Sequence, residues 1–399
     1  MMYLFLKILL NLFFGAIAFA LGKPGDKIAI SRTAHRSLLT ALVLAGLEPL
    51  WLSPEIDSAT GVPTGISLQE FKRVLPENPI ALHLTEPGYL GTISDLPPLI
   101  EEAHKRKIPV IIDAAWGGHF GLHPALPRHP MQLGADAFVT SIHKALPGYS
   151  ASAIAVARIG LLDRARLEQG FESTHTTSPA GAPLASIDGV RALLQIRGEE
   201  LLEQLLLNVK DFHNYLTSEF GSEILLKPSD FAINRFDPTK LILRANILGG
   251  DGIQIERELI AAGVRVEMAD RDTIVFLVTF ADDADTFANL IKVLVPILHN
   301  NSGPARRSGA ALSWSVTPEI GVSMREAYFA QSELVSARDA IGRISSDLVA
   351  PYPPGVAVLA PGEVITREIM EGLLAAKADG VRIAYATDSS LENFRVLSR

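Results

Sequence analysis

The sequence predicts an α/β fold with a mostly parallel sheet, followed by a smaller α+β unit. Short apolar runs of strand length alternate with segments of helical periodicity through the amino-terminal part of the chain, as in consecutive βα units. Polar residues suited to chemistry follow several of these runs, and functional groups gather at the carboxyl ends of parallel strands. The composition, 48% apolar and 20% charged, is that of a globular protein.

Length, charge and cysteine content narrow the classes further. A chain of 399 residues has room for two or three domains of about 150 residues each. Its 36 basic and 44 acidic residues leave a net charge of −8, which argues against nucleic acid as a partner. The absence of cysteine excludes disulfides, thiolate metal sites and cysteine nucleophiles, and it fits a reducing, cytoplasmic compartment.

The first element is an apolar run, residues 1–21, which ends at the turn-forming sequence Gly22–Lys27. The run is long enough to span a bilayer, and Ala18–Ala20 resembles a signal-peptidase site, so a membrane anchor or signal is one interpretation. However, Lys7 lies inside the run and no basic segment precedes it. A helix buried in the core is therefore the other interpretation.

Strands and helices then alternate. The predicted elements are strand Lys27–Ser31, helix Ser37–Gly46, strand Glu48–Ser53, helix Leu68–Leu75, strand Ile80–Leu84, helix Leu96–Lys105, strand Pro109–Ile112 and strand Ala137–Ser141. Four segments that follow strands form the expected functional edge: Ser31–Ser37, Thr85–Gly91, Asp113–Gly118 and Ser141–Lys144.

The pattern changes in the second half of the chain. A long helix is predicted over Pro183–Phe220, and strands of a smaller α+β domain over Leu241–Leu248, Val264–Met268 and Thr273–Phe280. The turn-rich segment Asn300–Gly309 is the best linker candidate. Three domains are predicted: a large α/β domain over residues 1–190, a helix with a small α+β domain over 191–302, and a C-terminal domain over 310–399.

Residues suited to catalysis are most concentrated in Val110–Gly121 and Asp136–Lys144. Asp113 ends one predicted strand there, and Ser-Ile-His-Lys ends another. Pyridoxal phosphate needs a lysine for its aldehyde, an acid for its ring nitrogen, and hydroxyls and amides for its phosphate. Each residue taken alone also has an ordinary structural role, for Asp113 an N-cap and for Lys144 a solvated side chain. Together they predict a pyridoxal-phosphate site.

These motifs, taken in order, resemble those of the Orn/Lys/Arg decarboxylase family, whose major domain has the aspartate-aminotransferase fold. Asp113–Trp116 (DAAW) is similar to its Asp-x-Ala-Trp/His, and Ser141–Lys144 (SIHK) to its Ser-Thr-His-Lys. The other similar segments are Ser31–Ser37, Leu84–Gly91, Thr174–Ser186 and, in the C-terminal decarboxylase domain, residues 326–363. The fold implied is therefore fold type I, with a smaller α+β domain and a C-terminal domain.

The resemblance implies a role for each site residue. Lys144 is implied as the Schiff-base lysine, and Asp113 as the partner of the pyridine nitrogen. The other implied contacts are His35 and Ala115 on the cofactor ring, Ser141 and His143 near the phosphate, and Thr177 and Ser178 reaching the phosphate across a dimer interface.

The function implied is a lyase of polyamine biosynthesis that decarboxylates lysine, ornithine or arginine, acting as a homodimer with a shared active site. One feature departs from the family. Its Gly-Ser/Thr turn, which cradles the phosphate at a helix N-terminus, has no counterpart in residues 1–10, so the chain is expected to be shortened at its N-terminus. An inactive paralogue that at most pairs with a complete enzyme is therefore one alternative, and an aminotransferase is another.

The remaining candidates are expected to be structural. His119 and His123 have the spacing of metal ligands, but Asp113 and Trp116 already account for that segment, and no metal is predicted. A Gly-x-Ser-x-Gly elbow, which would favour serine hydrolysis, does not occur in the sequence.

Overall fold

The computed structural model describes residues 2–7, 10–58, 60–175, 178, 180–230, 235–307, 318–352 and 355–399, with side chains from residue 13 onward. Its main sheet contains seven strands. They are β1 Met2–Lys7, β2 Lys27–Ser31, β3 Glu48–Leu52, β6 Leu82–Thr85, β7 Val110–Asp113, β8 Ala137–Ser141 and β9 Ala153–Arg158, with a hairpin of β4 Glu55–Ile56 and β5 Pro63–Gly65 beside them.

The strand order in this sheet is β1–β9–β8–β7–β6–β2–β3. The pairs from β8 to β3 are all parallel, whereas β9 runs antiparallel to both of its neighbours. The predicted α/β fold with a mostly parallel sheet is therefore confirmed.

Helices cover both faces of the sheet. They are α1 Leu10–Leu21, α2 Arg36–Ala45, α3 Leu68–Val74, α4 Leu96–Lys105, α5 Pro130–Leu133 and α6 Arg164–Thr174. Helices α1, α2 and α6 share one apolar core with the sheet, and α3 and α4 share the core on the opposite face. Each βα unit thus buries an apolar stripe of its helix against its own strands.

Part of the apolar N-terminal run, residues 1–21, forms helix α1, whose described side chains are mostly buried, as the core-helix interpretation expects. Phe13, Phe14 and Ile17 are buried in the core, and α1 lies so close to α6 that a Cβ at Gly170 would come within 2.3 Å of the Ala16 carbonyl oxygen. The described part of the chain contains no helix with the length and apolar character that a bilayer crossing requires. Ahead of α1, Met2–Lys7 forms an edge strand that the sequence analysis did not predict.

A second, three-stranded antiparallel sheet follows the long helix. Its elements are α7 Gly181–Phe220, β10 Leu241–Arg244, α8 Gly252–Ala261, β11 Met268–Ala269, β12 Thr273–Phe276 and α9 Ala284–Asn300. The long helix matches its prediction closely.

The strands of this second sheet are shorter than predicted because turns interrupt the apolar runs. After β10 the chain forms a 3₁₀ turn that closes at Gly249, which has a φ of +69°. Before β11 the Val264 N–H caps helix α8 by donating to the Leu259 carbonyl. Beyond β12 the Thr279 N–H donates to the Asp282 carboxylate in another turn.

The C-terminal segment forms a separate apolar core. Its elements are α10 Met324–Phe329, β13 Ser332–Ser336, α11 Ala337–Ala340, β14 Ala350–Tyr352, α12 Arg367–Ala378, β15 Arg382–Ala384 and β16 Asn393–Leu397. The strands pair antiparallel as β13–β16 and β14–β15.

A buried ion pair connects this segment to the main sheet. Arg32, in the loop after β2, pairs with Glu363, and the exposed fractions of the two residues are 2% and 1%. The guanidinium also donates to the Val358 carbonyl at 2.9 Å and lies 4.4 Å from the ring centroid of Trp51. Glu363 in turn accepts the Ala360 N–H at 2.7 Å. The loop that carries His35 is therefore fixed by a contact with residues far along the chain.

Replacing Glu363 with alanine should destabilise the protein strongly. The substitution leaves the Arg32 guanidinium buried without its carboxylate, and the free energy of unfolding should fall by about 3–5 kcal/mol. Chemical denaturation of the native protein and of Glu363→Ala measures the difference. Glu333→Ala, which removes the exposed carboxylate paired with Arg343, is the matched control and should change the free energy of unfolding very little. Equal effects in the two variants would contradict the prediction.

Candidate active site

Three parallel strands bring three polar residues to one edge of the main sheet. Thr85, the last residue of β6, is in register with Asp113, the last residue of β7. Ser141 ends β8, whose Val139 is in register with Asp113. All three residues are buried, with exposed fractions of 8%, 2% and 1%. A carboxylate flanked by two hydroxyls therefore lies at the edge where the sequence analysis expected function.

The Asp113 carboxylate is held by the chain that follows it. The N–H of Ala115 donates to its Oδ1 at 3.0 Å, and the Ala114 N–H continues the sheet by donating to the Val139 carbonyl. Burial raises the pKa of Asp113 to about 6, although the positive charge of Lys144 opposes the rise. A cationic group placed against this carboxylate would gain a strong electrostatic partner.

Lys144 lies in the turn after β8, beside the indole of Trp116. Its Nζ is 4.8 Å from the indole ring centroid. Burial lowers the pKa of Lys144, while the carboxylates of Asp113 and Glu267 raise it in part. The predicted lysine and the predicted acid are thus neighbours, and the lysine reaches its neutral, nucleophilic form at a lower pH than an exposed lysine does.

His35 and His143 approach the site from two different loops. The His35 imidazole caps helix α2, since its Nδ1 lies 3.3 Å from the Ser37 amide nitrogen and 2.7 Å from the Ser37 hydroxyl. Burial and the charges of Lys144 and Arg36 lower the pKa of His35 to about 4, which keeps the ring neutral. His143 lies with Nδ1 2.9 Å from the Ser152 carbonyl oxygen, so that Nδ1 donates to that oxygen.

The two hydroxyls at this edge test whether the site suits a phosphorylated cofactor. Ser141 Oγ and Thr85 Oγ1 are buried, and neither has a hydrogen-bond partner in the part of the chain that the structure describes. Buried hydroxyls are normally satisfied, so an unpaired pair next to a buried carboxylate and a lysine points to a polar ligand. The residues present therefore fit pyridoxal phosphate. The sequence of residues 1–10 contains no glycine, serine or threonine.

A second buried lysine belongs to the site and was missed in the sequence analysis. Lys240 precedes β10, is 3% exposed, and places its Nζ 3.2 Å from the ring centroid of Trp116. The neighbouring Asp237 accepts from the Thr239 hydroxyl at 2.7 Å and pairs with His119 at 3.1 Å. The sequence offered only an unremarkable Asp-Pro-Thr-Lys turn, and the contact to Trp116 depends on the tertiary structure.

The structure describes only some of the remaining residues that the sequence analysis discussed as site or metal-ligand candidates. Ala115 is buried next to Asp113. Ser178 is exposed in the segment before α7, and Thr177 lies outside the described residues, so their predicted contacts with the phosphate across a dimer interface stay predictions. His119 and His123 pair with different carboxylates, those of Asp237 and Glu203, instead of converging on one point.

Comparisons with known proteins agree with the geometry. Residues 15–230 match the family described as Orn/Lys/Arg decarboxylase, major domain, and residues 313–381 match the family's C-terminal domain. The arginine decarboxylase of Bacillus subtilis is 33% identical over 383 residues, which cover 94% of this chain and 78% of the relative. The constitutive lysine decarboxylase of Escherichia coli is 22% identical over 439 residues, covering 86% of this chain and 61% of that protein.

Solved structures show the same fold. The structure of the Escherichia coli constitutive lysine decarboxylase superimposes with a TM-score of 0.81 at 19% identity, covering 100% of this chain and 70% of that one. Lysine decarboxylase A from Pseudomonas aeruginosa superimposes with a TM-score of 0.82 at 17% identity, covering 100% and 69%.

The buried carboxylate should make stability depend on pH. Because the pKa of Asp113 is about 6 in the folded chain and near its ordinary 3.8 when unfolded, the folded state binds the extra proton. The contribution of this group to stability is therefore lost as pH rises from 4 to 7, by up to about 3 kcal/mol. Denaturation of native protein and Asp113→Asn at several pH values in this range, without cofactor, measures the difference. A difference that stays constant with pH would contradict the assignment.

Proposed function

The chain belongs to the Orn/Lys/Arg decarboxylase family, and on that premise we propose that it decarboxylates a basic amino acid with pyridoxal phosphate as cofactor. The observation that carries the proposal is the grouping of Asp113, Lys144 and the unpaired Ser141 hydroxyl at one buried edge of the sheet. The family is one of lyases, and this grouping supplies the three kinds of side chain that the cofactor needs.

Pyridoxal phosphate, when bound, supplies a protonated ring that accepts the electron pair released as the substrate's carboxylate leaves as CO₂. Asp113 would keep the proton on the ring nitrogen, because a buried carboxylate favours a cation in contact with it. Lys144 Nζ would hold the aldehyde carbon, and it would deliver the proton that replaces the carboxylate at the substrate's Cα. The neutral His35 ring and the Ala115 side chain are proposed to cover the two faces of the cofactor ring.

Phosphate binding is proposed to rest on side chains at the strand ends. Ser141 Oγ, which is buried and unpaired among the described residues, would donate a hydrogen bond to the phosphate, and His143 is proposed to lie near it. Thr177 and Ser178 of a second copy would complete the phosphate contacts, which requires a homodimer with a shared site. Sedimentation of the purified protein tests the dimer, and cell fractionation tests the predicted cytoplasmic location.

Arginine ranks first among the three candidate substrates. The relative named as an arginine decarboxylase shares a larger fraction of its residues with this chain than the one named as a lysine decarboxylase does. The product would be an amine of the kind used in polyamine biosynthesis. Assays with arginine, lysine and ornithine, each followed by CO₂ release and by keto-acid formation, distinguish decarboxylation from transamination.

Lys144→Ala should abolish both turnover and covalent retention of the cofactor, since no other residue in the proposal links to the aldehyde. The test is an absorption spectrum after incubation with pyridoxal phosphate and desalting, followed by borohydride reduction and peptide mapping. Native protein should retain the cofactor on Lys144, and Lys72→Met, a change at an exposed lysine, should retain it too. A folded native protein that retains no cofactor would favour the alternative of an inactive paralogue.

Glu267→Gln should raise the KM for a basic amino acid more than it lowers kcat. Glu267 is exposed, and its carboxylate lies near enough to raise the pKa of both Lys144 and Lys240. We propose that it attracts the cationic end of the substrate, an interaction worth about 1 kcal/mol, or roughly fivefold in KM, at an exposed site. Steady-state kinetics at low and high salt measure it, and a KM unchanged at low salt would refute it.

A further inference from the structure

Lys240 is an unusual lysine in this chain. Exposed lysines such as Lys27 and Lys105 pair with nearby glutamates. Lys240 is 3% exposed, and its Nζ has no hydrogen-bond partner among the described residues. An ammonium group buried without compensation is strongly destabilising. Part of the compensation here comes from the indole of Trp116, whose ring centroid is 3.2 Å from Nζ, in contact for a cation–π interaction.

Backbone hydrogen bonds and packing against Gly91 fix the position of Lys240. Its backbone N–H donates to the Asp237 carbonyl at 3.1 Å, and the Asp237 N–H donates to the Gly91 carbonyl at 2.8 Å. The stem of Lys240 packs on Gly91, where a Cβ would come within 3.0 Å of the Lys240 Cβ and Cγ. Gly91 also has a φ of +78°, a conformation that favours glycine.

A second contact joins the same two segments. His119, three residues after Trp116, pairs with Asp237, three residues before Lys240. The turn before β10 therefore contacts the loop after β7 at two points, His119 and Trp116. The Trp116 indole also lies 4.8 Å from Nζ of Lys144, the candidate cofactor-linking lysine, so these contacts bear on the position of that lysine.

We propose that Lys240 is a positioning residue of the active site: its ammonium group clamps the Trp116 indole, and the clamped indole holds Lys144 in place. This inference rests on the proposed function only for the role of Lys144. The clamp itself is a property of the protein without cofactor.

The charge of Lys240 changes near neutral pH, which makes the clamp measurable. The charged groups that face it are Asp237 and Glu267, which favour the ammonium form, and Lys144, which opposes it. Burial outweighs the two carboxylates and lowers the pKa of Lys240 to about 7. The cation–π contact is therefore strongest at pH values well below 7 and weakens as pH rises through 7.

The first experiment follows tryptophan emission from pH 5.5 to 8.5 in protein without cofactor. Native protein should show a transition with a midpoint near pH 7, which Trp116→Phe removes. Trp51 lies against the guanidinium of Arg32, a group that keeps its charge over this range, so its emission should stay constant. Lys240→Met and Lys240→Arg should both lose the transition. The methionine variant has no charge and should emit at all pH values like native protein at high pH, whereas the arginine variant keeps its charge and should emit like native protein at low pH.

The second experiment measures the rate at which pyridoxal phosphate is trapped on Lys144 by borohydride. Lys240→Met should trap about tenfold more slowly at pH 6, as expected for the loss of a desolvated cation–π contact. Lys240→Arg should recover part of the rate, and the ratio of native to Lys240→Arg should fall as pH passes 7. Lys72→Met is the control and should match native protein.

The outcomes separate the two proposals. A native transition that persists in Lys240→Met, or the absence of any native transition, would overturn the clamp. A lost transition with unchanged trapping would show that Lys240 touches Trp116 without positioning Lys144, which also overturns it. No trapping in native protein would refute the proposed function and leave the clamp to be judged on emission alone. If Lys240→Met fails to fold, Lys240→Gln replaces it in both experiments.

Discussion

The parallel register of β6, β7 and β8 is the constraint on which the site depends. It places the last residues of three neighbouring strands at one buried edge, so a carboxylate and two hydroxyls share a space from which water is largely excluded. Desolvation then sets the electrostatics: the pKa of the acid Asp113 rises, and the pKa values of the bases Lys144 and Lys240 fall. The same burial that disfavours each charge brings the pKa values of Asp113 and Lys240 close to neutral pH.

Segments distant in sequence close this edge through buried polar contacts. The C-terminal segment reaches the loop after β2 through Glu363 and Arg32, and the turn before β10 reaches the loop after β7 through Asp237 and Lys240. Each contact would be costly if only one partner were present, which gives the assembly its specificity. The loops that carry His35 and Trp116 are therefore positioned by residues that do no chemistry in the proposed reaction.

The local pattern of the sequence predicted five of the seven described strands of the main sheet and the central site residues. Short apolar runs alternating with helical segments predicted β2, β3, β6, β7 and β8 but not β9. The strand ends pointed to Asp113 and Lys144 before any resemblance was considered. Strand β1 was missed because an edge strand and a helix in one uninterrupted apolar run have no distinguishing period. Lys240 and the Arg32–Glu363 pair were missed because nothing near them in the sequence indicates that a charged side chain will be buried; that depends on which segments meet in space.

The Arg32–Glu363 pair also bears on how the protein is made. The two residues are separated by 331 positions. At a synthesis rate of roughly 5–20 residues per second, Glu363 is therefore synthesised about 20–70 s after Arg32. During that interval the βα units can form, but the loop after β2 has no carboxylate to neutralise its arginine. The nascent chain therefore cannot complete the loop after β2 until Glu363 has been synthesised.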